Sequence, residues 1–111
     1  MLKDDFINSV TEKLSKIGFN KIEDYWTRKI VQQSSITING QPFGNNIESD
    51  LKVSIFADAK IDNSDAAQIL FEFITNNNII WQYEEVICYD DVDIIETLCH
   101  QLFRIWRHLE N

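Results

Sequence analysis

The sequence predicts an α+β fold, in which a mainly antiparallel sheet of four or five strands carries three packed helices. Three observations support this class. Apolar residues recur at helical spacing near both ends of the chain, they alternate with polar residues from Asp50 to Asp58, and Asn39-Gly40 is typical of a two-residue hairpin turn. A length of 111 residues is that of one domain, so residues 1–111 are predicted to form a single α+β domain.

The first predicted helix covers Asp4–Ile17. Phe6, Val10 and Leu14 follow one another at four-residue intervals, so they form one apolar stripe that the core can bury. Gly18 then suits the left-handed position that commonly ends a helix.

Two strand segments come next, at Trp26–Val31 and Ile36–Ile38, and Trp26 is expected to be partly exposed. The Asn39-Gly40 turn should reverse the chain. Pro42 cannot donate to a strand ladder, so the return strand is expected to be short or at an edge. Gly44–Asn46 is expected to be a loop.

The stretch Asp50–Asp58 alternates cleanly and predicts a strand with one buried face and one partly wet face. Leu51, Val53 and Ile55 share the apolar side. Phe56 is the exception, because it falls on the polar side.

A strand–helix–strand unit is predicted from Leu51 to Cys88. Asp62–Ser64 offers helix caps, apolar residues at helical spacing follow from Ala66 to Ile74, and a strand resumes at Ile79. If the two strands are neighbours, they run parallel with a right-handed crossover, so their carboxyl ends lie at the same edge of the sheet.

The closing segment predicts a strand at Ile79–Cys88, an acidic turn at Tyr89–Asp93 and a helix to about Leu109. The buried stripe of this helix is Ile95, Leu98, Leu102, Ile105, Trp106 and Leu109. Cys99 is expected to be a small core residue, and His100, Arg104 and His108 to share a solvated helix face.

The charge distribution limits the partners. The net charge is -8, and no Lys or Arg occurs between Ile61 and Phe103, where nine acidic residues fall. Such a surface repels nucleic acid and anionic lipid and attracts a basic protein, although it also serves solubility alone. The chain shows no signal peptide, no membrane span and no disulfide framework, so a reduced cytoplasmic location is expected.

The most specific candidate site is an acidic edge of the predicted sheet. The two predicted parallel strands would end there, so the aspartate-rich turns that follow them would lie side by side. The predicted partner-binding residues are Asp58, Asp62, Asp65, Tyr89, Asp90, Asp91 and Asp93. Tyr89 would serve as an aromatic anchor. Metal binding and helix capping are the other readings of these acids, but the sequence lacks the EF-hand pattern.

No catalytic, cofactor-binding or metal-binding residue is predicted, because the chain has no phosphate loop, nucleophile elbow or zinc-ligand spacing. The sequence therefore favours a binding protein that needs no cofactor over an enzyme. Self-association is left open.

Small size, acidity, an α+β pattern and three tryptophans, Trp26, Trp81 and Trp106, characterise the chain. In these features it resembles bacterial immunity proteins of contact-dependent growth inhibition and related polymorphic toxin systems. One group of these is named for three tryptophans. The resemblance is one of type and assigns no residue. It implies a cytoplasmic inhibitor that binds one toxin domain tightly, often a basic nuclease.

Two alternatives remain from the sequence. One is a phage-encoded inhibitor or DNA mimic, whose acids should follow a phosphate-like spacing over a long face. The other is a small enzyme or metal-binding domain, which a cleft with buried, pKa-shifted carboxylates would support.

Overall fold

A computed structural model describes residues 1–106, and the side chains of all of these except residues 31–38, 41–47 and 106. The elements are α1 (Lys3–Lys16), β1 (Asn20–Ile22), β2 (Tyr25–Ile38), β3 (Gln41–Ile61), β4 (Ser64–Thr75), β5 (Asn78–Cys88), a 3₁₀ turn (Tyr89–Asp91) and α2 (Asp93–Trp106). Each strand pairs antiparallel with the next, in the order β1-β2-β3-β4-β5. The predicted α+β class is confirmed, with five strands and with two helices in the described part of the chain.

The predicted third helix is wrong, and with it the strand–helix–strand unit, because the segment after Asp62 forms β4. Ala67, Ile69, Phe71 and Phe73 share one side of the strand and are all buried, whereas on the other side only Ala66 and Glu72 are buried. The helical reading left Ala67 and Phe71 off its stripe. β-branched and aromatic residues are common in this stretch, and they favour a strand.

Three two-residue turns connect β2 through β5, at Asn39-Gly40, Asp62-Asn63 and Asn76-Asn77. Both residues of each turn have positive φ, between 49° and 77°. Positive φ at both positions is what a type I′ hairpin requires, and Asn and Asp tolerate it better than most residues. Asp62-Asn63 therefore begins a hairpin rather than capping a helix.

β2 and β3 are single long strands, which corrects two expectations. The predicted loop at Gly44–Asn46 is wrong, because these residues lie inside the 21-residue β3; Pro42 lies in the same strand, which is long rather than short but is at an edge there, the other predicted possibility. The part of β3 that precedes Asp50 pairs with β2 on one side and has no strand paired on the other. This part of β3 is therefore at an edge of the sheet, where proline is tolerated. The two strands continue there as a ribbon, and the molecule is 61 Å long and about 24 Å across.

Both helices pack on one face of the sheet. Residues Leu51–Ala57 and Ile79–Ile87 lie in that sheet as predicted and run parallel to each other, although β4 separates them. The buried core comprises Phe6, Val10 and Leu14 of α1, Trp26, Leu51, Val53, Ile69, Phe71 and Phe73 of the sheet, and Ile95, Cys99 and Leu102 of α2. The opposite face of the sheet carries no helix in the described part of the chain.

The connection from α1 into the sheet follows the prediction. Gly18 has φ 92°, and the Phe19 amide donates to the Leu14 carbonyl at 3.0 Å, which closes α1 in a Schellman motif. Trp26 corrects the expectation of partial exposure, since it is 2% exposed in the core.

Over the residues that are described, α2 matches the bounds of the predicted closing helix, but Ile105 of the predicted buried stripe is 40% exposed, because it lies beyond the part of α2 that the sheet covers. The positions of His108 and Leu109 lie outside the described residues. Neither α1 nor α2, at 14 residues each, has the length and apolar character to cross a bilayer.

Candidate protein-binding edge

Two hairpins bring the aspartate-rich turns to one end of the sheet. β3 ends and β4 begins at the Asp62-Asn63 turn, and the Ala66–Cys88 pair places the end of β5 beside the start of β4. The turn after β5 therefore lies against the β3–β4 turn. The two turns thus meet at one end of the sheet as predicted, but hairpins bring them together rather than the predicted crossover.

We call the six aspartates at this end the acidic rim; they are Asp58, Asp62, Asp65, Asp90, Asp91 and Asp93. All six are exposed to solvent. Asp65, Asp90 and Asp91 border a cleft of about 510 Å³ between the β3–β4 turn and the 3₁₀ turn. The rim thus combines side chains from both turns into one surface.

Four rim aspartates carry an internal cation. Lys3 Nζ lies 3.1 Å from Asp58, Lys13 Nζ lies 2.5 Å from Asp93, and Lys60 bonds Asp65. The amino group of Met1 lies 3.6 Å from Asp90. The cations that the Ile61–Phe103 stretch lacks therefore reach the rim from the N-terminus, from α1 and from the end of β3.

Asp62 and Asp91 differ from the other four, because they have no ion pair among the side chains that the structure describes. Hydrogen bonding from Lys60 lowers the pKa of Asp65, and the hydrogen bond to Asp93 raises the pKa of Lys13. Both shifts favour the charged forms at neutral pH. As far as the described side chains show, Asp62 and Asp91 are consequently the rim charges that can accept an external cation.

Tyr89 lies in the core rather than on the rim surface. It is 5% exposed, its ring stacks on Phe6 with centroids 4.5 Å apart, and its hydroxyl donates a hydrogen bond to the Ala57 carbonyl. This bond ties the turn after β5 to the irregular part of β3, between Phe56 and Ala59, from which Asp58 projects. Tyr89 therefore links the two halves of the rim from within the core.

An apolar cleft adjoins the rim at Asp58 and was missed by the sequence argument. Its volume is about 460 Å³, and it is lined by Lys3, Ile7, Lys21, Glu23, Asp24, Trp26, Ile55, Phe56, Ala57 and Asp58. Phe56 is 57% exposed, which is unusual for a phenylalanine in a sheet. The available signal was its place on the polar side of the β3 alternation. We call this surface the Phe56 cleft.

Cys88, Cys99 and His100 do not form a metal site or a reactive thiol site within the residues that the structure describes. In the described part of the chain, no three His, Cys, Asp or Glu side chains come close enough to hold a metal ion. Burial raises the pKa of the Cys99 thiol to about 12, which makes it a poor nucleophile. His100 lies on the exposed side of α2, with Nε2 3.9 Å from Glu96 and its ring edge-on to Phe103.

Comparisons with known protein families, with characterised proteins and with solved structures find no match to this chain. The edge is therefore interpreted from its own geometry, charge and exposure.

Proposed function

We propose that this chain is a non-enzymatic binding protein that neutralises a basic toxin domain in the cytoplasm, as an immunity protein does. The acidic rim and the Phe56 cleft are its binding surface. One observation carries the proposal: Asp58 belongs to both, so an exposed cluster of aspartates is continuous with an apolar depression.

This combination matches the anatomy of protein interfaces. A protein interface has an apolar centre that supplies most of the affinity, and a charged margin that steers encounter and selects the partner. Phe56 and the walls of its cleft would form the centre. Asp62 and Asp91 would attract the Lys and Arg side chains of a basic partner, since no cation among the described side chains pairs with them.

The available area is sufficient for specific binding. A standard interface buries about 800 Å² on each partner. The solvent-accessible surface is 7360 Å², so such an interface would cover about a tenth of it. If an interface of this size covered or distorted the active site of a toxin, the toxin would lose its activity.

The position of the acids favours a compact patch over a DNA mimic. A mimic needs carboxylates in a long row at the spacing of phosphates, whereas the rim aspartates gather at one end of the sheet. Four of them are also partly neutralised by internal cations. A single complementary protein surface suits this arrangement better.

Changing Asp62→Asn together with Asp91→Asn should slow association with the partner. The partner to test is the product of the gene adjacent to the one that encodes this chain. We expect the association rate at low salt to fall by about tenfold or more, and its dependence on ionic strength to flatten. Stopped-flow mixing at several salt concentrations measures both quantities.

The matched control is Glu48→Gln with Asp50→Asn, which removes the same formal charge near the far end of the β3–β4 pairing. This control should change the association rate much less. Equal effects of the two double variants would mean that net charge, rather than the rim, governs binding. An unchanged rate for Asp62→Asn/Asp91→Asn would remove the rim from the binding surface.

Replacing Phe56 with Ala should accelerate dissociation of the complex. A central aromatic anchor contributes about 2 kcal/mol or more, so we expect roughly a thirtyfold weaker Kd with little change in the association rate. Ile79→Ala is the control. Ile79 is similarly exposed, at 55%, but it lies at the end of β5 that is farther from the acidic rim and the Phe56 cleft. A Kd that is unchanged by Phe56→Ala would show that the cleft is not the centre of the interface.

A further inference from the structure

Two lysine ammonium groups lie at the walls of the Phe56 cleft, and each is held there by a group that attracts cations. Lys21 Nζ lies 5.4 Å from the centre of the Trp26 ring, within the range of a cation–π contact. Lys3 Nζ donates to both carboxylate oxygens of Asp58, at 3.1 and 3.2 Å. All four side chains line the cleft. The molecule itself therefore shows that the walls of this cleft bind cations.

Two further carboxylates of the cleft have no internal cation. Glu23 and Asp24 form the two-residue turn between the paired residues Ile22 and Tyr25, and both line the cleft. Neither forms an ion pair with any side chain that the structure describes. Together with Asp58 they give the cleft three carboxylates against two lysines. The cleft can therefore accept one more positive charge.

The aromatic ring of Phe56 is available to a planar cation. It is more than half exposed, and no ring or cation among the described side chains is paired with it. Elsewhere the protein already pairs a guanidinium with a phenylalanine, since Arg28 Cζ lies 4.3 Å from the centre of the Phe103 ring. A guanidinium stacks on an aromatic face and forms two parallel hydrogen bonds with a carboxylate, whereas an ammonium is a compact and more strongly hydrated charge.

We infer that the Phe56 cleft binds an arginine side chain of the basic partner. The guanidinium stacks on Phe56 and pairs with the carboxylates of the cleft, and its aliphatic stem lies on Ile7 and Ile55. A volume of about 460 Å³ is in the range of small-ligand sites, roughly 300–1,000 Å³, so it has room for this side chain. The inference rests on the proposed function for the identity of the partner, but not for the chemistry of the cleft.

Lys3 and Lys21 then compete with the arginine for the groups that they occupy. Both lysines are exposed, and exposed ion pairs contribute little to stability, so an incoming guanidinium displaces them at small cost. Replacing Lys21 with Gln should therefore strengthen arginine binding by about two- to fivefold. A merely structural role of Lys21 would not produce tighter binding.

N-acetyl-arginine amide is the probe, because it presents the side chain without a charged main chain. In an NMR titration of the free protein, it should shift the Trp26 indole N–H and the backbone amides of residues 55–58. The expected Kd is about 1 mM, which is typical of a ligand of this size. The matched control probe is N-acetyl-citrulline amide, which is neutral and has nearly the same shape. It should bind about fivefold more weakly or worse, because it carries no charge.

Three variants place the arginine probe in the cleft. Lys21→Gln should tighten its Kd, and Glu23→Gln combined with Asp24→Asn should weaken it. The control is Lys60→Gln, which removes a lysine that pairs with Asp65 and does not line the cleft. At about 0.15 M salt, charges more than about 8 Å apart are largely screened, so this control should leave the Kd unchanged. Circular dichroism verifies that each variant is folded.

Equal affinity for the arginine and citrulline probes, or no shift at residues 55–58 with about 20 mM probe, would overturn the inference. Weaker binding of the arginine probe to folded Lys21→Gln would also contradict it, because Lys21 would then be part of the site rather than a competitor. A toxin domain that binds through Phe56 without displacing the arginine probe would overturn the inference and leave the proposed function standing. If the probe binds as expected but the toxin domain does not bind at all, the proposed function fails and the chemistry of the cleft is supported.

Discussion

Replacing Tyr89 with Ala should lower the free energy of unfolding by about 3–5 kcal/mol, the cost of truncating a buried aromatic residue. The ring is 5% exposed and stacks on Phe6 at 4.5 Å, so its removal leaves a cavity between α1 and the turn after β5. Urea unfolding followed by tryptophan fluorescence measures the loss. A change below about 1 kcal/mol would contradict the core position of Tyr89.

Tyr89→Phe separates the role of the hydroxyl from that of the ring. This change keeps the stack on Phe6 but leaves the buried Ala57 carbonyl without its donor, which typically costs about 1–3 kcal/mol. We expect partner binding by the folded Tyr89→Phe protein to weaken little, because the hydroxyl is not at the surface. A large loss of affinity with unchanged stability would instead support the anchor role that the sequence suggested.

Replacing Leu102 with Ala should cost about 2–5 kcal/mol, as expected for a buried leucine. Leu102 is 3% exposed and packs in the core between α2 and the sheet. Ile105 belongs to the same predicted stripe but is 40% exposed, so Ile105→Ala should cost clearly less. The pair of variants, compared by urea unfolding, measures how far the stripe of α2 is buried.

Equal losses for Leu102→Ala and Ile105→Ala would contradict the position of α2 on the sheet. A loss below about 0.5 kcal/mol for Leu102→Ala would show that this side of α2 is not core.

The sequence was sufficient to predict elements that are determined locally, by the spacing of apolar residues or by the residues of one turn. α1 was predictable because a strand would put polar Asn8 and Glu12 on the same face as Phe6, Val10 and Leu14, whereas a helix does not, and Gly18 supplies its end. The Asn39-Gly40 hairpin was predictable because that dipeptide is the one best suited to two positive φ angles.

β4 was harder to predict, because the spacing of its apolar residues fits both the helical repeat of 3.6 residues and the strand repeat of two. Ile69 and Phe73 fit a helical stripe and also one face of a strand. The choice is made by pairing with β3 and β5 on both sides, which is a tertiary effect that local spacing does not contain. Two positive-φ turns, Asp62-Asn63 and Asn76-Asn77, were the local evidence for a strand.

The sequence predicted which aspartates form the rim, but not which of them are paired with a cation. The acids cluster in sequence, yet the cations that contact them, including Lys3 and Lys13, come from a helix about fifty or more residues away in the chain. Burial of Tyr89 likewise depends on Phe6. Only the fold shows that Asp62 and Asp91 have no ion pair among the described side chains, and that Phe56 lines a cleft that adjoins the rim at Asp58.

Hydrogen exchange of the chain with and without its partner tests the central claim most directly. If the acidic rim and the Phe56 cleft bind a basic toxin domain, the partner should slow exchange at residues 56–65 and 88–93. Exchange at residues 79–83, in the half of β5 that is farther from the rim, should not change. Protection confined to residues 79–83, or absent from both rim segments when the partner is saturating, would contradict the proposal that this protein acts through its acidic end.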